Sequence, residues 1–168
     1  MRMGLLVKLI GGTSYQKGDI KASGIRILRG GNIQNNKLVF CDDDVFLPST
    51  YFESEKNIQA GDTIIVASTG SPTVIGKPAL ICESVPDTQI GAFLRIVRPY
   101  LNALCPYVQL VFTTEYYREH IRSKAKGTNI NNIKAEYIEE MLIPVPPIAE
   151  QQRIILKSRE VVSSIMSR

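Results

Sequence analysis

The sequence of 168 residues contains one histidine, three cysteines and no tryptophan. Zinc sites are built from histidine, cysteine and carboxylate ligands, and His120 has neither a second histidine nor a Cys-x-x-Cys pair to complete a set. A Ser-His-Asp triad would also have to use His120, and no Gly-x-Ser-x-Gly elbow accompanies it. The sequence therefore predicts neither a zinc site nor a hydrolase triad.

The spacing of cysteines and the length of apolar runs indicate the cellular compartment in which the protein is expected. Cys41, Cys82 and Cys105 are odd in number and far apart, which indicates reduced core thiols of a cytoplasmic protein. No apolar run reaches about 18 residues, and the N-terminus has no apolar segment of signal-peptide length. We therefore expect neither secretion nor a membrane span.

Nucleotide and metal motifs are missing as well. No Gly-x-Gly-x-x-Gly opens a helix after a strand, and no Gly-x-x-x-x-Gly-Lys-Ser/Thr loop is present. The acidic run Asp42–Asp44 could suggest Mg²⁺, but no Glu-x-Lys follows at nuclease-like spacing, so a solvated turn is the simpler interpretation. The sequence predicts no catalytic residue and no metal on this chain.

Charge is distributed unevenly along a chain of ordinary globular composition. The hydrophobic fraction is 44% and the net charge is +4. Residues 1–37 carry seven Lys/Arg against one acid, residues 38–62 carry six acids against one lysine, and residues 118–134 carry five Lys/Arg against one acid. If the fold brings the two basic stretches together, their field will attract phosphate; the alternative is ordinary surface charge.

The hydrophobic pattern changes from strands to helices along the chain. Short apolar runs bounded by Gly, Pro, Asn or Asp predict strands at 25–29, 37–41, 63–67, 79–83 and 92–97. A helical apolar face then comprises Leu104, Val108, Val111, Phe112, Tyr117 and Ile121, and Thr114 is the expected cap of a second helix. Strands followed by helices predict an α+β fold, a mixed or antiparallel β-rich domain with packed helices.

The C-terminal segment forms a separate unit. Residues 143–148, "IPVPPI", must be extended because proline fixes φ and restricts the preceding residue. A helix is expected to begin near Pro147, and its apolar residues Ile148, Ile155, Val162 and Ile165 have coiled-coil-like spacing. This helix either packs on its own domain or contacts a partner helix, which the proline spacer favours. We therefore predict a domain at residues 1–145 and the first part of a spacer helix at residues 146–168.

Four polar loops carry side chains suited to nucleic acid, at 11–19, 26–37, 68–77 and 122–132. Arginine pairs with guanine, asparagine and glutamine pair with adenine, and lysines and hydroxyls hold phosphates. Each loop alone is also compatible with an ordinary turn. The predicted groove contacts are Tyr15, Lys17, Arg26, Arg29, Asn32 and Gln34, with Gln16 beside them, and the predicted phosphate contacts are Ser68, Thr69, Lys77, Lys124 and Lys126.

The segment "GTNINNIKAEYIEEMLIPVPPIAEQQRI" resembles the end of a target-recognition domain in the specificity subunits of type I restriction-modification systems. Those domains close with a polar loop, then Ile-Pro-x-Pro-Pro, then Glu-Gln opening a long helix. "GGTSYQKGDI", "GIRILRGGNI", "GDTIIVASTGS" and "GAFLRIVRP" are similar to earlier parts of the same domain, in the same order. The family's usual chain is roughly twice as long, with two such domains and two long helices, and often has a tryptophan near the first loop.

The resemblance implies a non-catalytic, sequence-specific reader of double-stranded DNA, one half of a specificity subunit or a shortened one. It implies methyltransferase and restriction subunits as partners, which would bind S-adenosylmethionine, ATP and Mg²⁺, and no cofactor on this chain. Its helix would contact the methyltransferase subunits, or a second half or second copy in a dimer. Two alternatives remain: a recognition module of a fused restriction-methylation enzyme, and a purely structural interaction domain.

Overall fold

The computed structural model of the chain describes residues 1–125 and 131–166. Within them, eleven strands and four α-helices are present. The strands are β1 Val7–Gly11, β2 Ile25–Leu28, β3 Ile33–Gln34, β4 Lys37–Leu38, β5 Val45–Leu47, β6 Thr63–Val66, β7 Ser68–Thr69, β8 Pro78–Leu80, β9 Thr88–Ile90, β10 Leu94–Pro99 and β11 Asn131–Asn132. The helices are α1 Cys105–Phe112, α2 Glu115–Lys124, α3 Ala135–Glu139 and α4 Ile148–Met166. The predicted α+β class is confirmed.

The largest sheet is antiparallel, in the order β1-β10-β6-β8. Every residue of β6 is buried, because side chains on its two faces enter two different apolar clusters. Ile65 packs towards the helices with Val97, whereas Ile64 and Ile96 pack on the opposite side. A strand covered on both faces reads as a continuous apolar run, which is why "TIIVA" predicts a strand without alternation.

The second sheet has the order β5-β2-β9 and is mixed, because β2 pairs antiparallel with β5 and parallel with β9. Ile27 and Leu47 lie in its small apolar cluster, and Tyr15 packs against that cluster from the first loop. The parallel register sets Leu28 beside Ile90. The C-terminal ends of β2 and β9 therefore lie side by side, and β10 begins a few residues after the end of β9.

Helices α1 and α2 cover one face of the large sheet as the apolar period predicts. All six residues of the predicted face are buried. The Thr114 side chain accepts a hydrogen bond from the Tyr117 backbone N–H at 3.3 Å, which confirms the predicted cap of α2. Tyr117 is fully buried against Phe112, and its burial raises the pKa of its phenol. Its hydroxyl donates to the Gly76 carbonyl at 3.0 Å, so α2 fixes the segment that leads into β8.

Helix α4 begins at Ile148, and the carbonyl of Pro147 accepts from the backbone N–H groups of Glu150 and Gln151. The first turns pack on the domain itself: Gln151 is 2% exposed, and Ile155 lies against the main apolar cluster. No helix within residues 1–125 and 131–166 is long and apolar enough to cross a membrane.

The three thiols are not core residues. Cys82 is exposed and the other two cysteines are half-buried, so the expectation of core thiols was wrong, although all three are free. The run "ALICE" that carries Cys82 ends as a strand at Leu80, and the remainder forms a surface turn.

Candidate nucleic-acid interface

Three of the predicted polar loops meet at one end of the two sheets. In the antiparallel register Gly11 lies opposite Arg95 and Val66 lies opposite Leu94, so β1 and β6 end where β10 begins. The parallel pair of β2 and β9 ends at the same place. We call this region, formed by residues 12–16, 29–32, 67–71 and 91–93, the loop end.

The turn Gly91–Phe93 is the point to which the other loops of the loop end are attached. The Gly91 N–H donates to the Leu28 carbonyl at 2.8 Å, and the Ala92 N–H donates to the Thr13 carbonyl at 3.0 Å. The Phe93 carbonyl accepts from two backbone N–H groups, those of Ala67 at 2.8 Å and of Ser68 at 3.0 Å. The relative position of the loops is therefore fixed by main-chain hydrogen bonds, not by side chains.

A cleft of about 470 Å³ opens at the loop end. Its walls include the predicted groove contacts Tyr15 and Arg29 together with Phe93, which is 67% exposed. The predicted phosphate contacts Ser68 and Thr69 form β7 beside this cleft and pair with β11, the last two residues of the fourth polar loop. Gln16 and Lys17 are exposed in the first loop, at a short turn stabilised by a hydrogen bond from the Gln16 N–H to Asp19.

The acidic stretch lies against the first basic stretch. The Arg29 Nη2 donates to Asp43 Oδ2 at 2.7 Å, and this hydrogen bond raises the pKa of the Arg29 guanidinium. The Arg26 Nε lies 3.3 Å from Asp44 Oδ2, and its guanidinium lies over the ring of Phe40. Both predicted groove arginines thus have an acidic partner, which holds the side chains in place and offsets their charge.

Asn32 has a different environment from the other predicted contacts. It is 2% exposed, its Oδ1 accepts from the Arg29 N–H at 2.7 Å, and its Nδ2 donates to Val39 O and Asp44 Oδ1. A buried amide with these partners shapes its loop and has no free edge for a base. Asn32 is therefore better described as a structural residue than as a groove contact.

A second cleft, of about 560 Å³, lies beside the β3–β4 hairpin, and we call it the hairpin cleft. Asn35 and Asn36 have φ values of 50° and 59°, as a two-residue hairpin turn with left-handed residues requires. The polar side chains that line the cleft are Gln34, Asn35, Asn36, Thr113, Lys77 and Arg118. It therefore brings the end of the first basic stretch beside the start of the second.

Helix α2 positions the segment that carries Lys77. The Arg118 guanidinium donates to the Ile75 carbonyl at 2.8 Å and to the Thr73 carbonyl at 3.2 Å. Partial burial lowers the pKa of Arg118, which nevertheless stays protonated at neutral pH. Lys77 is exposed; its backbone is hydrogen-bonded to Val66 and Val74, but its side-chain ammonium has no hydrogen bond or ion pair with another described residue.

Of the two remaining predicted phosphate contacts, Lys124 lines neither cleft. Lys124 is exposed at the last residue of α2, with its Nζ 5.9 Å from the centre of the Tyr137 ring. Lys126 lies outside the described residues. The structure thus groups Tyr15 with Arg29 and Gln34 with Lys77, and leaves Lys124 apart from both pairs.

No protein-family model matches the chain, but curated proteins do. It is 32% identical to the specificity subunit of the type I restriction enzyme EcoKI of Escherichia coli (strain K12), over 95% of this chain and 35% of that subunit. The StySPI specificity subunit of Salmonella potsdam gives the same identity and coverage. The chain belongs to the type I specificity-subunit family. It spans about a third of the length of these relatives, since 35% of each is covered.

Solved structures of the family share the fold of this specificity-subunit chain. The HsdS subunit of Thermoanaerobacter tengcongensis matches 99% of this chain and 37% of its own, with a TM-score of 0.70 at 17% identity. The S subunit of the type I system of M. genitalium matches 94% of this chain and 37% of its own, with a TM-score of 0.62 at 17% identity. At this identity the likeness establishes the fold alone.

Two residues of this specificity-subunit chain line the clefts but are not among the contacts predicted from the sequence: Phe93 and Arg118. Phe93 was assigned to a strand, but β10 begins one residue later and leaves Phe93 in the turn. Arg118 lies in the second basic stretch and has its place in the hairpin cleft. The position of Arg118 in a basic stretch could have marked it as a candidate. No local pattern marks Phe93, because its place in the loop end depends on the pairing of strands that are distant in the sequence.

The predicted partner-helix residues of the specificity-subunit chain divide along α4. Ile155 packs against the domain's own core, so its side chain is already in contact with apolar residues of the same chain. Ile148, Val162 and Ile165 are 43%, 52% and 69% exposed. Val162 also lines an apolar groove of about 670 Å³ between α1 and α4, together with Leu110.

Proposed function

We propose that this chain reads a sequence in double-stranded DNA, and that it directs the methyltransferase and restriction subunits of a type I complex to that sequence. The observation that carries the proposal is the convergence of the polar loops at the loop end. Strand pairing brings these loops to one end of the sheets, but pairing does not require them to carry polar and basic side chains. Loops that together contact a duplex must both lie side by side and carry such side chains.

The proposed contacts follow the two clefts. Tyr15, Gln16, Lys17 and Arg29 would contact the duplex at the loop end, with Ser68 and Thr69 beside them. Gln34, Lys77 and Arg118 would contact it at the hairpin cleft. Arg26, Lys124 and Lys126 stay proposed contacts on sequence grounds, and Asn32 is left out because it is buried.

Specificity and affinity are expected to come from different members of this set. An arginine or glutamine with a fixed side chain distinguishes bases, because only one base edge matches its pair of hydrogen bonds. A free lysine such as Lys77 neutralises any phosphate, so it strengthens binding to all sequences alike. The pairing of Arg29 with Asp43 favours the first role, since it orients the guanidinium and limits its attraction for phosphate.

The proposed partners follow from the names of the relatives, which are specificity subunits of type I restriction enzymes. In this proposal methylation and cleavage belong to other subunits of a cytoplasmic complex, where S-adenosylmethionine, ATP and Mg²⁺ bind. Helix α4 contacts a partner helix, either of a methyltransferase subunit, of the second half of the specificity subunit or of a second copy. The exposed residues Ile148, Val162 and Ile165 are the proposed contacts, and Ile155 is left to the domain core.

Selection from a random duplex library by the chain assembled with its methyltransferase subunits tests the proposed function. One enriched sequence, bound more weakly as salt rises, is the expected result. A structural interaction domain predicts no salt-dependent duplex binding. Recovery of random duplexes would overturn sequence reading, and failure to retain any duplex would overturn DNA binding.

Replacing Lys77 with alanine should weaken binding to target and non-target duplexes by a similar factor. Because one phosphate contact is lost, the slope of log K against log salt should flatten by about 0.9. Filter binding at four salt concentrations measures this slope. Lys8→Ala is the matched control, since Lys8 is paired with Glu55 at the other half of β1. An equal slope for Lys77→Ala and wild type would remove Lys77 from the interface.

Replacing Val162 with lysine should weaken association with the partner helix by about tenfold or more, because it places a charge in an apolar seam. The domain itself should keep its stability within about 0.5 kcal/mol, since Val162 is half exposed. Titration calorimetry with the methyltransferase subunits measures the association. Leu156→Lys is the control, because Leu156 is 60% exposed on the same helix but lies outside the predicted seam. Equal loss in both variants would contradict a contact through the seam.

A further inference from the structure

Phe93 is a large apolar side chain exposed to solvent at the centre of the loop end. It is 67% exposed. Single exposed apolar residues are common on protein surfaces, so exposure alone indicates nothing. The surroundings of Phe93 distinguish it from such residues.

The first distinguishing feature is rigidity. Main-chain hydrogen bonds attach the turn Gly91–Phe93 to Leu28, Thr13, Ala67 and Ser68, each between 2.8 and 3.0 Å. The Leu94 N–H also closes the turn on the Gly91 carbonyl at 2.9 Å. A side chain on such a turn has little backbone entropy left to lose when it binds, which is the condition for an aromatic residue to contribute strongly to affinity.

The second feature is the chemistry of the cleft that Phe93 lines. Tyr15 and Arg29 lie on the same walls, so two aromatic residues and an arginine line one concave site. Aromatic rings and guanidinium planes are the groups on which nucleobases stack. Ser68, whose N–H is bound to the Phe93 carbonyl, begins the strand of hydroxyl residues proposed to hold phosphate. If those hydroxyls face the phosphate backbone of the DNA, the Phe93 ring faces its bases.

We infer that Phe93 is a further binding residue for the target DNA, which makes an apolar contact with a nucleobase beside Tyr15 and Arg29. The inference rests on the proposed function and adds a residue to it. The contact is with the face of a base at an opened step or with the methyl group of a thymine, since both present the apolar surface that a phenylalanine ring matches.

Phe93→Ala in the full chain, assembled with its methyltransferase subunits, tests the inference. Affinity for the selected target should fall about tenfold or more, which is the typical loss for one stacked aromatic. The salt slope should not change, because no charge is removed. Phe93→Tyr keeps the ring and should retain most of the affinity. Since Phe93 is largely exposed, its removal leaves no cavity, and the melting temperature should stay within the range of wild type.

Tyr100→Ala provides the matched control. Tyr100 is 61% exposed and directly follows β10, whereas Phe93 directly precedes it. At about 3.3 Å per residue the two rings are attached roughly 23 Å apart, at opposite ends of one strand. Tyr100→Ala should bind the target as wild type does. Equal losses for both variants would overturn the inference.

Two modified targets identify the source of the contact. Uracil in place of thymine should reproduce the loss in wild type, and add nothing in Phe93→Ala, if the ring contacts a methyl group. 2-Aminopurine at the site should brighten with wild type and not with Phe93→Ala if the ring stacks at an opened step. Unchanged target affinity in Phe93→Ala, with a flattened slope in Lys77→Ala, would overturn the inference alone. Absence of duplex binding by wild type would overturn it together with the proposed function.

Discussion

Asp62→Ala is expected to lower the free energy of unfolding by about 3–5 kcal/mol, the typical cost of removing one partner from a buried ion pair. The Asp62 side chain is 1% exposed. Its two oxygens accept from the Arg98 Nε and Nη2, both at 2.8 Å. The Gln59 N–H donates to the same carboxylate at 2.8 Å. Without Asp62, a guanidinium that is 18% exposed would have no counter-charge.

Thermal and denaturant unfolding measure this loss, which at this chain length corresponds to a melting temperature lower by roughly 10 °C. Glu53→Ala is the control, because Glu53 is 55% exposed in its ion pair with Lys56. An exposed pair contributes less than about 1 kcal/mol. A loss below about 1 kcal/mol in Asp62→Ala would show that Arg98 is satisfied by the backbone carbonyls of Glu55 and Asn57, which it also contacts.

The position of this pair separates stability from binding. Arg98 lies near the end of β10, opposite Lys8 in the register, whereas the loop end lies before the start of β10. The folded fraction of Asp62→Ala should therefore bind the selected duplex as wild type does. Reduced binding by folded protein would mean that the two ends of the sheet are coupled.

The elements with long apolar periods could be predicted from the sequence. Helices α1 and α2 carry buried residues at helical spacing over two successive segments, and a threonine cap separates them. Strands β5 and β9 have three residues each, which is too short for a period to show. Strand β9 also contains the buried polar residues Thr88 and Gln89, so its composition resembles that of a loop.

The arrangement of the candidate site could be predicted only in part. The polar loops are recognisable because their residues are adjacent in the chain. Their convergence depends on β2 pairing with β9 and on β1 pairing with β10, which join segments far apart in the sequence. The same holds for Asp43 and Asp44: local charge counting separates them from Arg26 and Arg29, and folding brings them together.

Gly12→Ala is expected to destabilise the loop end and to weaken target binding with it. A Cβ atom at Gly12 would lie 2.0 Å from the Gly91 carbonyl oxygen and 2.4 Å from its carbon. These are backbone atoms of the turn that holds Phe93, so they cannot move aside as a flexible side chain can. Relief of the clash must lengthen the hydrogen bonds from Thr13 N to Ile90 O and from Ala92 N to Thr13 O, now 2.8 and 3.0 Å.

We expect the free energy of unfolding to fall by about 3 kcal/mol, the upper part of the usual range for overpacking, because only backbone can yield. Target affinity should fall further than stability alone explains, since Tyr15 and Phe93 lose their common frame. Unfolding and duplex binding of the folded fraction measure the two effects separately.

Gly11→Ala is the control for this prediction, because Gly11 is the last residue of β1 and directly precedes Gly12. A Cβ atom at Gly11 would meet nothing within 4 Å. Its effect on stability should stay within about 0.5 kcal/mol, as for other surface substitutions. The pair of variants therefore tests close backbone approach and not the presence of glycine as such. If Gly12→Ala folds and binds like Gly11→Ala, the turn at Gly91 does not hold the first loop in place, and the loop end is not a rigid recognition surface.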